Sequence, residues 1–435
     1  HVWKDVYVSE LAGRVSSAYI WTHDCPNNIF DSFWEARFNL IVLSTNLVPR
    51  DAFSSGTPIH CDDSVVILNV CLLVCIAHIK DAHLHVAGRD ILPTFVELLA
   101  VFCGHPFIDV KSSFSTFIPN SLDKNISKKL IKFWLEELRL HPELHDKVEF
   151  DIAITTFSFD LYKRVNNLPK DLFSLIEIEK IKEVFTEHFK DLMFPKHPGS
   201  LYNAEKQIIS LNKKLMEVQN TNKFNITELI DICKKYGTIP FAKLARHAFI
   251  GTTLMKSLNS EGVLSSSRLS EYFSSIKTIL SEMLEDILRL KNNFIEIIDF
   301  NKKYGHLRPG TYDISSKSYR EIDPIELFGD RSINLNNKTF IFNKRELNKI
   351  NKLINDYKLP FADTSEFLRY VTNSIQAREN SKFNFTKVID LIFERVKEIS
   401  NIYSISIDDL SYLSIERLAL IEKGDYKENK KEILS

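Results

Sequence analysis

Residues 303–314 read Lys-Tyr-Gly-His-Leu-Arg-Pro-Gly-Thr-Tyr-Asp-Ile, and they follow a long helical pattern. Two glycines and a proline interrupt that pattern, because glycine tolerates many backbone conformations and proline disfavours helical geometry in the residue before it. The stretch carries an imidazole, a guanidinium, two phenols and a carboxylate. Binding and catalytic groups are often held on loops between regular elements. The sequence therefore predicts a defined polar loop that is a candidate site.

Helical patterns surround this loop on both sides. Only 12 of the 435 residues are glycine, and 44% are hydrophobic, which is ordinary for a globular protein. Long amphipathic stretches joined by short loops favour antiparallel helices. The predicted fold class is therefore mainly α, a multi-helix bundle-like array with a few short strands and irregular loops. Predicted helices include 128–140, 171–192, 202–219, 226–235, 241–257, 267–290, 292–303, 344–357, 365–381 and 385–403.

The charge of the chain is balanced, with 56 basic and 57 acidic residues and a formal net charge of -1. Such a balance provides no overall field that would attract nucleic acid or an anionic membrane surface. We therefore expect neither as a partner. Six cysteines in so long a chain do not indicate a disulfide scaffold, and a reducing cytoplasmic location fits them.

The first ninety residues differ from the rest, because they hold only six of the 56 Lys and Arg residues. Four cysteines and several histidines lie there, and their spacing is not that of a zinc knuckle, so we favour buried thiols over a metal site. The apolar run 65–77 is shorter than the roughly 20 residues that a spanning helix needs, which favours a buried element. We divide the chain into a poorly matched N-terminal segment (1–91), a central helical region (92–413) and a polar tail or linker start (414–435).

Three stretches of the central region are similar to those of one enzyme family. They are residues 304–314, residues 236–250 and residues 104–110, the last reading Gly-His-Pro-Phe-Ile-Asp-Val. Together they resemble the phosphoenolpyruvate synthase-like branch of the dikinases that use phosphoenolpyruvate, relatives of the rifampicin phosphotransferases. The rifampicin enzymes usually carry a glycine-glutamate pair where this chain has Gly310-Thr311-Tyr312. The resemblance covers the central helical region only.

The resemblance implies a transferase of the kinase type that phosphorylates pyruvate or another small acceptor from ATP through a phosphohistidine. In that family an ATP-binding domain and a phosphohistidine domain flank the acceptor side, and they would be the partners of this region. No nucleotide-cradling or phosphohistidine motif is present in the chain, so ATP and Mg²⁺ are expected only with those neighbouring domains. We therefore interpret the chain, which begins at His1, as a fragment that does not hydrolyse ATP alone.

Transfer of a phosphoryl group develops negative charge that cationic side chains can stabilise. The arginines and the histidine of the family-like stretches are the obvious candidates, with nearby carboxylates to orient them. The predicted substrate-binding residues are Arg246, His306, Arg308, Tyr312, Asp313 and Glu149.

Two alternatives remain open. The carboxylates Glu282, Glu285 and Asp286 share helical spacing and could bind a divalent cation, but a solvated acidic face is the favoured interpretation, so no metal is predicted. The whole chain could also be a non-catalytic helical interaction or scaffold protein whose loops only connect helices. If Arg246, His306 and Arg308 line one pocket, the phosphotransferase hypothesis is favoured, and if they lie at separate surfaces, the scaffold hypothesis is favoured.

Overall fold

The structure is a computed structural model, and it describes residues 40–42, 99–102, 105–145, 147–221, 224–309, 311, 314–325, 339–411, 413 and 415–424. These residues are mainly helical, which confirms the predicted fold class. The α-helices are α1 Val110–Thr116, α2 Lys124–Leu140, α3 Leu161–Asn166, α4 Leu175–Leu192, α5 Leu201–Thr221, α6 Ile226–Ile232, α7 Ile239–Ser260, α8 Ser266–Ser275, α9 Ile279–Lys291, α10 Ile297–Tyr304, α11 Lys344–Asp356, α12 Thr364–Tyr403, α13 Ile407–Ser411 and α14 Ile415–Glu422.

Three short strands form an antiparallel sheet in the order β1-β3-β2, with β1 Leu40–Val42, β2 Leu99–Phe102 and β3 His105–Asp109. The central strand pairs Ile108 with Ile41 on one side and Phe107 with Ala100 on the other. Two π-helical turns, Val148–Ile152 and Cys233–Thr238, interrupt the α-helical array. The first of them contains Glu149, one of the candidate site residues.

Side-chain caps fix where several helices begin. Asp123 accepts hydrogen bonds from the backbone N–H groups of Asn125 and Ile126 at the start of α2. Ser174 and Glu177 form a reciprocal capping box at the start of α4. Each cap satisfies backbone donors that have no partner inside the helix, which typically stabilises the helix by about 1 kcal/mol.

Helices α7 and α12 form the most extensive helix–helix contact among the described elements. They run antiparallel, because Gly237 just before α7 meets Phe385 whereas Gly251 farther along meets Ser374. A Cβ atom on Gly251 would lie 2.6 Å from Ser374 Oγ, so the two backbones approach more closely than any larger residue allows. Helix α7 is buried on nearly all sides, and even Lys243, Arg246 and His247 are largely hidden from solvent.

The hydrophobic core divides along α12. Its first half packs with α1, α2, α4 and the end of α7, where Trp134 and Phe367 are fully buried. Its second half packs with α5, α6, α13 and α14, around Phe385 and Ile389. Helix α14 lies in the segment that we predicted as a polar tail, and it buries Leu418 and Ile421 in this second cluster.

Two helix predictions were wrong in their boundaries. Residues 365–381 and 385–403 are not separate helices but parts of the single helix α12, since the stretch between them contains neither proline nor glycine. The predicted helix 267–290 is instead split into α8 and α9. Thr278 caps the start of α9 through the N–H of Ser281, which favours a new helix over continuation of the old one.

No helix within the described ranges is long and apolar enough to cross a membrane. The apolar run 65–77 and the cysteine- and histidine-bearing segment around it lie outside the described residues, as does the proposed boundary at residue 92.

Candidate functional site

The loop after α10 is folded back against residues 318–320. Tyr319 N–H donates to the carbonyl of Leu307 at 2.8 Å, and Arg320 N–H donates to that of Gly305 at 3.3 Å. Gly305 has a helical φ of -59°, so positive φ is not the reason for glycine here. A Cβ atom at this position would overlap the carbonyl of Asn301 and the side chain of Arg320. Gly305 therefore allows the end of α10 and the side chain of Arg320 to approach each other closely.

His306 points into the protein rather than into solvent. It is 9% exposed, and its Nε2 lies 3.1 Å from the carbonyl oxygen of Phe383 on α12. Because a carbonyl oxygen can only accept, Nε2 carries the proton of the bond. Burial, helped by the charge of Lys387, lowers the pKa of His306 to about 3. The imidazole is therefore neutral near pH 7 and joins the loop to α12.

Arg308 is also buried, with 1% of its side chain exposed. Its Nη2 donates to Asp390 Oδ1 at 2.7 Å, and its Nη1 donates to the carbonyl of Ser316 at 2.9 Å. The guanidinium carbon lies 5.0 Å from the ring centre of Phe393. Asp390 also accepts from Arg320, so one buried carboxylate holds two arginines. The sequence suggested that the guanidinium of Arg308 is free to bind a ligand, whereas in the structure it is bonded to Asp390 on α12.

The acidic residues of α9 form ion pairs. Asp286 Oδ2 accepts from Tyr304 Oη at 2.9 Å and from Lys303 Nζ at 3.0 Å, and Lys303 also donates to Glu282. Arg289 pairs with the other Asp286 oxygen. Within the described part of the chain, no group of three or more His, Cys, Asp or Glu residues is arranged to hold a metal ion.

Arg246 lies in the middle of α7, and 5% of it is exposed. Its Nη2 donates to the carbonyl of Thr155, and its guanidinium carbon lies 5.0 Å from the ring centre of Phe117. Its Nη1 is buried and makes no hydrogen bond in the structure. Burial lowers the pKa of Arg246 to about 10, while the charge of Glu149 opposes that shift. Arg246 therefore stays cationic at pH 7 with one buried donor unused.

Glu149 is placed near Arg246 by the π-helical turn Val148–Ile152. This turn closes with the N–H of Ala153 bonded to the carbonyl of Val148 at 2.8 Å. Arg164 supports the same turn, because its Nη2 donates to the carbonyls of Phe150 and Ala153. Single π-helical turns are rare and recur at functional sites. The charge of Glu149 therefore acts on Arg246, and the orienting role of this carboxylate stays a prediction.

The predicted site residues do not form one site. Arg308 binds Asp390, and Arg246 interacts with Tyr370 near the other end of α12. At a rise of 1.5 Å per residue, about 30 Å of helix separates Tyr370 from Asp390. His306 joins Arg308 at the loop, and Glu149 joins Arg246 at α7. Tyr312 and Asp313 lie outside the described residues.

Sequence reasoning missed Asp390, which organises the loop more than any residue within it. A signal was present, because Asp390 stands among Val388, Ile389 and Ile392, which are all buried. Acidic residues are almost never fully buried unless they are paired. An aspartate on an apolar helix face therefore indicates a cationic partner, although the sequence does not say which arginine it is.

Comparison of the chain with models of protein families, with curated proteins and with solved structures found no match.

Proposed function

We propose that the central helical region is the acceptor-binding and docking part of an ATP-dependent phosphotransferase similar to phosphoenolpyruvate synthase. Its acceptor is pyruvate or another small molecule, phosphorylated through a phosphohistidine. The ATP-binding and phosphohistidine domains of such an enzyme are its partners, and ATP and Mg²⁺ belong with them. The proposal rests on the resemblance of the family-like stretches together with one observation, the unused buried donor of Arg246.

A buried donor without a partner is costly, at about 1–3 kcal/mol. Thr156, next to the residue that accepts from Arg246, also has a buried hydroxyl oxygen without a hydrogen-bond partner. A cation and a hydroxyl donor are the groups that stabilise an oxyanion, and the carboxylate of Glu149 acts on the guanidinium of Arg246. In a medium of low dielectric constant, the attraction between Arg246 and an oxyanion is stronger than in water. Binding of a carboxylate or phosphate oxygen at Nη1 would recover the cost of the unused donor.

The second candidate is a non-catalytic helical interaction or scaffold protein. The separation of Arg246 from His306 and Arg308 favours it, and so does the burial of His306 and Arg308, because both side chains are bonded to α12. Under this alternative the loop 303–314 only fastens α10 to α12, and Arg246 only anchors the segment that contains Thr155. The two candidates differ in whether the protein binds an acidic small molecule through Arg246.

Isothermal titration of the chain with phosphoenolpyruvate tests the proposal. We expect saturable binding that Arg246→Met weakens at least about tenfold, or about 1.4 kcal/mol. Arg139→Met is the control, since it also removes a guanidinium, one that pairs with Glu136 on the surface of α2, and it should retain the affinity. Arg246→Lys serves if the methionine variant does not fold. Absence of binding by the wild-type chain, or equal affinity of the Arg246 variants, would favour the scaffold candidate.

A further inference from the structure

A cleft opens on the side of α7 that carries His247. It lies between the end of α4, the start of α5 and the first turns of α12, and its volume is about 210 Å³. That space holds several water molecules or a small organic molecule. The polar side chains that line it include Tyr202, Glu205, His247, Arg369, Tyr370 and Asn373. Arg246 does not line this cleft.

A fixed hydrogen-bond chain forms the base of the cleft. His247 is fully buried, and its Nε2 lies 2.8 Å from the carbonyl oxygen of Gly199. That oxygen can only accept, so Nε2 carries the proton. Burial lowers the pKa of His247 to about 4, and the neutral ring therefore presents an unprotonated Nδ1. Tyr370 Oη, 3.0 Å away, must donate to it. The hydroxyl proton of Tyr370 is therefore used in the hydrogen bond to His247 Nδ1, and its oxygen can only accept a hydrogen bond from a group in the cleft.

Two side chains of α12 that line the cleft can donate hydrogen bonds. Arg369 and Asn373 are four residues apart on α12, so they lie on one face of that helix. Within the part of the chain that the structure describes, neither side chain makes a hydrogen bond, ion pair or ring contact. The planar guanidinium of Arg369 can donate two parallel hydrogen bonds to a carboxylate, and the side-chain amide of Asn373 is a further donor.

A side chain of α5 that lines the cleft can accept hydrogen bonds. Glu205 projects from α5, is partly buried, and likewise has no described partner. Its burial without a cation raises its pKa. The carboxylate of Glu205 on α5 and the oxygen of Tyr370 on α12 are two groups of the lining that can accept hydrogen bonds from a ligand. The cleft therefore presents the donors Arg369 and Asn373 on α12 and the accepting carboxylate of Glu205 on α5. Glu366 also lines the cleft, and its Oε2 accepts from the N–H of Ala362.

We propose that this cleft binds a small carboxylate that also carries a hydroxyl or ammonium group. Arg369 and Asn373 donate hydrogen bonds to the carboxylate of the ligand. Glu205 and the oxygen of Tyr370 accept hydrogen bonds from its hydroxyl or ammonium group. His247 does not contact the ligand. It is a positioning residue, because its unprotonated Nδ1 holds the Tyr370 hydroxyl in the accepting orientation. The proposal does not depend on phosphoryl transfer, since Arg246, Thr156 and Glu149 do not line the cleft, and Arg246 acts on Tyr370 only through its charge.

The test uses the whole chain and four three-carbon probes: lactate, alanine, propionate and 2-propanol. Lactate and alanine carry both recognised groups, propionate carries only the carboxylate, and 2-propanol carries only the hydroxyl. Saturation-transfer NMR titrations should show that lactate or alanine binds at least about tenfold more tightly than either single-group probe.

Variants connect that binding to the cleft. Arg369→Gln should weaken binding of the better probe at least about tenfold, and Glu205→Gln should reduce its advantage over propionate. Arg345→Gln is the control, because Arg345 is also an exposed arginine on a helix and does not line the cleft. No saturable binding of lactate or alanine, or an equal loss in the Arg369 and Arg345 variants, would overturn the proposal. These probes and variants differ from those that test the Arg246 site, so either proposal can fail alone.

Discussion

Arg308 Nη2 and Asp390 Oδ1 are 2.7 Å apart, with 1% and 5% of the two side chains exposed. The pair joins the loop after α10 to the second half of α12. Arg320 shares the same carboxylate, and Glu394 Oε1 lies 3.6 Å from Arg308. Removing one member of a buried ion pair leaves an uncompensated charge. The contact therefore makes the loop part of the core.

Asp390→Asn should reduce the free energy of unfolding by about 3 kcal/mol or more, because it leaves two arginines without their carboxylate. Urea unfolding followed by circular dichroism measures the loss. Glu379→Gln is the control on the same helix, since it breaks the exposed contact with Arg378 and should cost less than about 1 kcal/mol. A cost for Asp390→Asn no larger than the control's would show that the buried pair does not fasten the loop.

The closeness of α7 and α12 gives a second prediction. Gly251→Ala places a Cβ atom 2.6 Å from Ser374 Oγ and 3.4 Å from the Cα atom of Val371, so it should destabilise the protein by about 1–3 kcal/mol. Ser374→Ala removes the nearer atom and should recover part of that loss in the double variant. A double-mutant cycle of unfolding free energies measures the coupling, and a coupling of zero would mean that the helices move apart instead.

Much of the helical array is predictable from local patterns. The stripe of Leu130, Trp134 and Leu138 predicted α2, and all three are buried. The patterns at residues 202–219 and 344–357 likewise predicted the bounds of α5 and α11 closely. These predictions succeed because amphipathic spacing reports which face of a helix is buried.

The site was less predictable, because its contacts join distant parts of the chain. Arg308 and Arg246 look alike in sequence, as each is a cation in a family-like stretch. Each has one buried nitrogen without a hydrogen-bond partner, Nε in Arg308 and Nη1 in Arg246. They differ because Arg308 donates to the carboxylate of Asp390, whereas Arg246 donates to the backbone carbonyl of Thr155. The sequence does not show which arginine pairs with which partner, so it could not show that the two arginines occupy separate places. The cleft beside His247 was missed for the same reason.

The buried histidines predict how stability depends on pH. Burial lowers the pKa of His306 to about 3 and that of His247 to about 4, whereas an unfolded histidine titrates at 6.5. Between these values the unfolded chain binds protons that the folded chain does not. The stabilising contribution is therefore complete above pH 6.5 and is lost as the pH falls towards the folded values.

Each histidine should reduce the free energy of unfolding by about 2 kcal/mol as the pH falls from 6.5 to 5. Urea unfolding of the wild type and of His306→Gln at several pH values measures this contribution as the difference in slope. Glutamine can still donate to the carbonyl of Phe383 but does not titrate in this range, so the variant should lose less stability on acidification. Identical slopes would show that folding does not lower the pKa of His306.

The most direct test compares Arg246→Lys with Arg308→Lys by thermal unfolding, without ligand and with saturating phosphoenolpyruvate. Lysine cannot reproduce the planar fork of either arginine. Arg308→Lys should lower the midpoint without ligand and keep the ligand-induced increase of the wild type, whereas Arg246→Lys should lose most of that increase. The account is contradicted if Arg308→Lys abolishes the ligand-induced increase while its midpoint without ligand stays at the wild-type value.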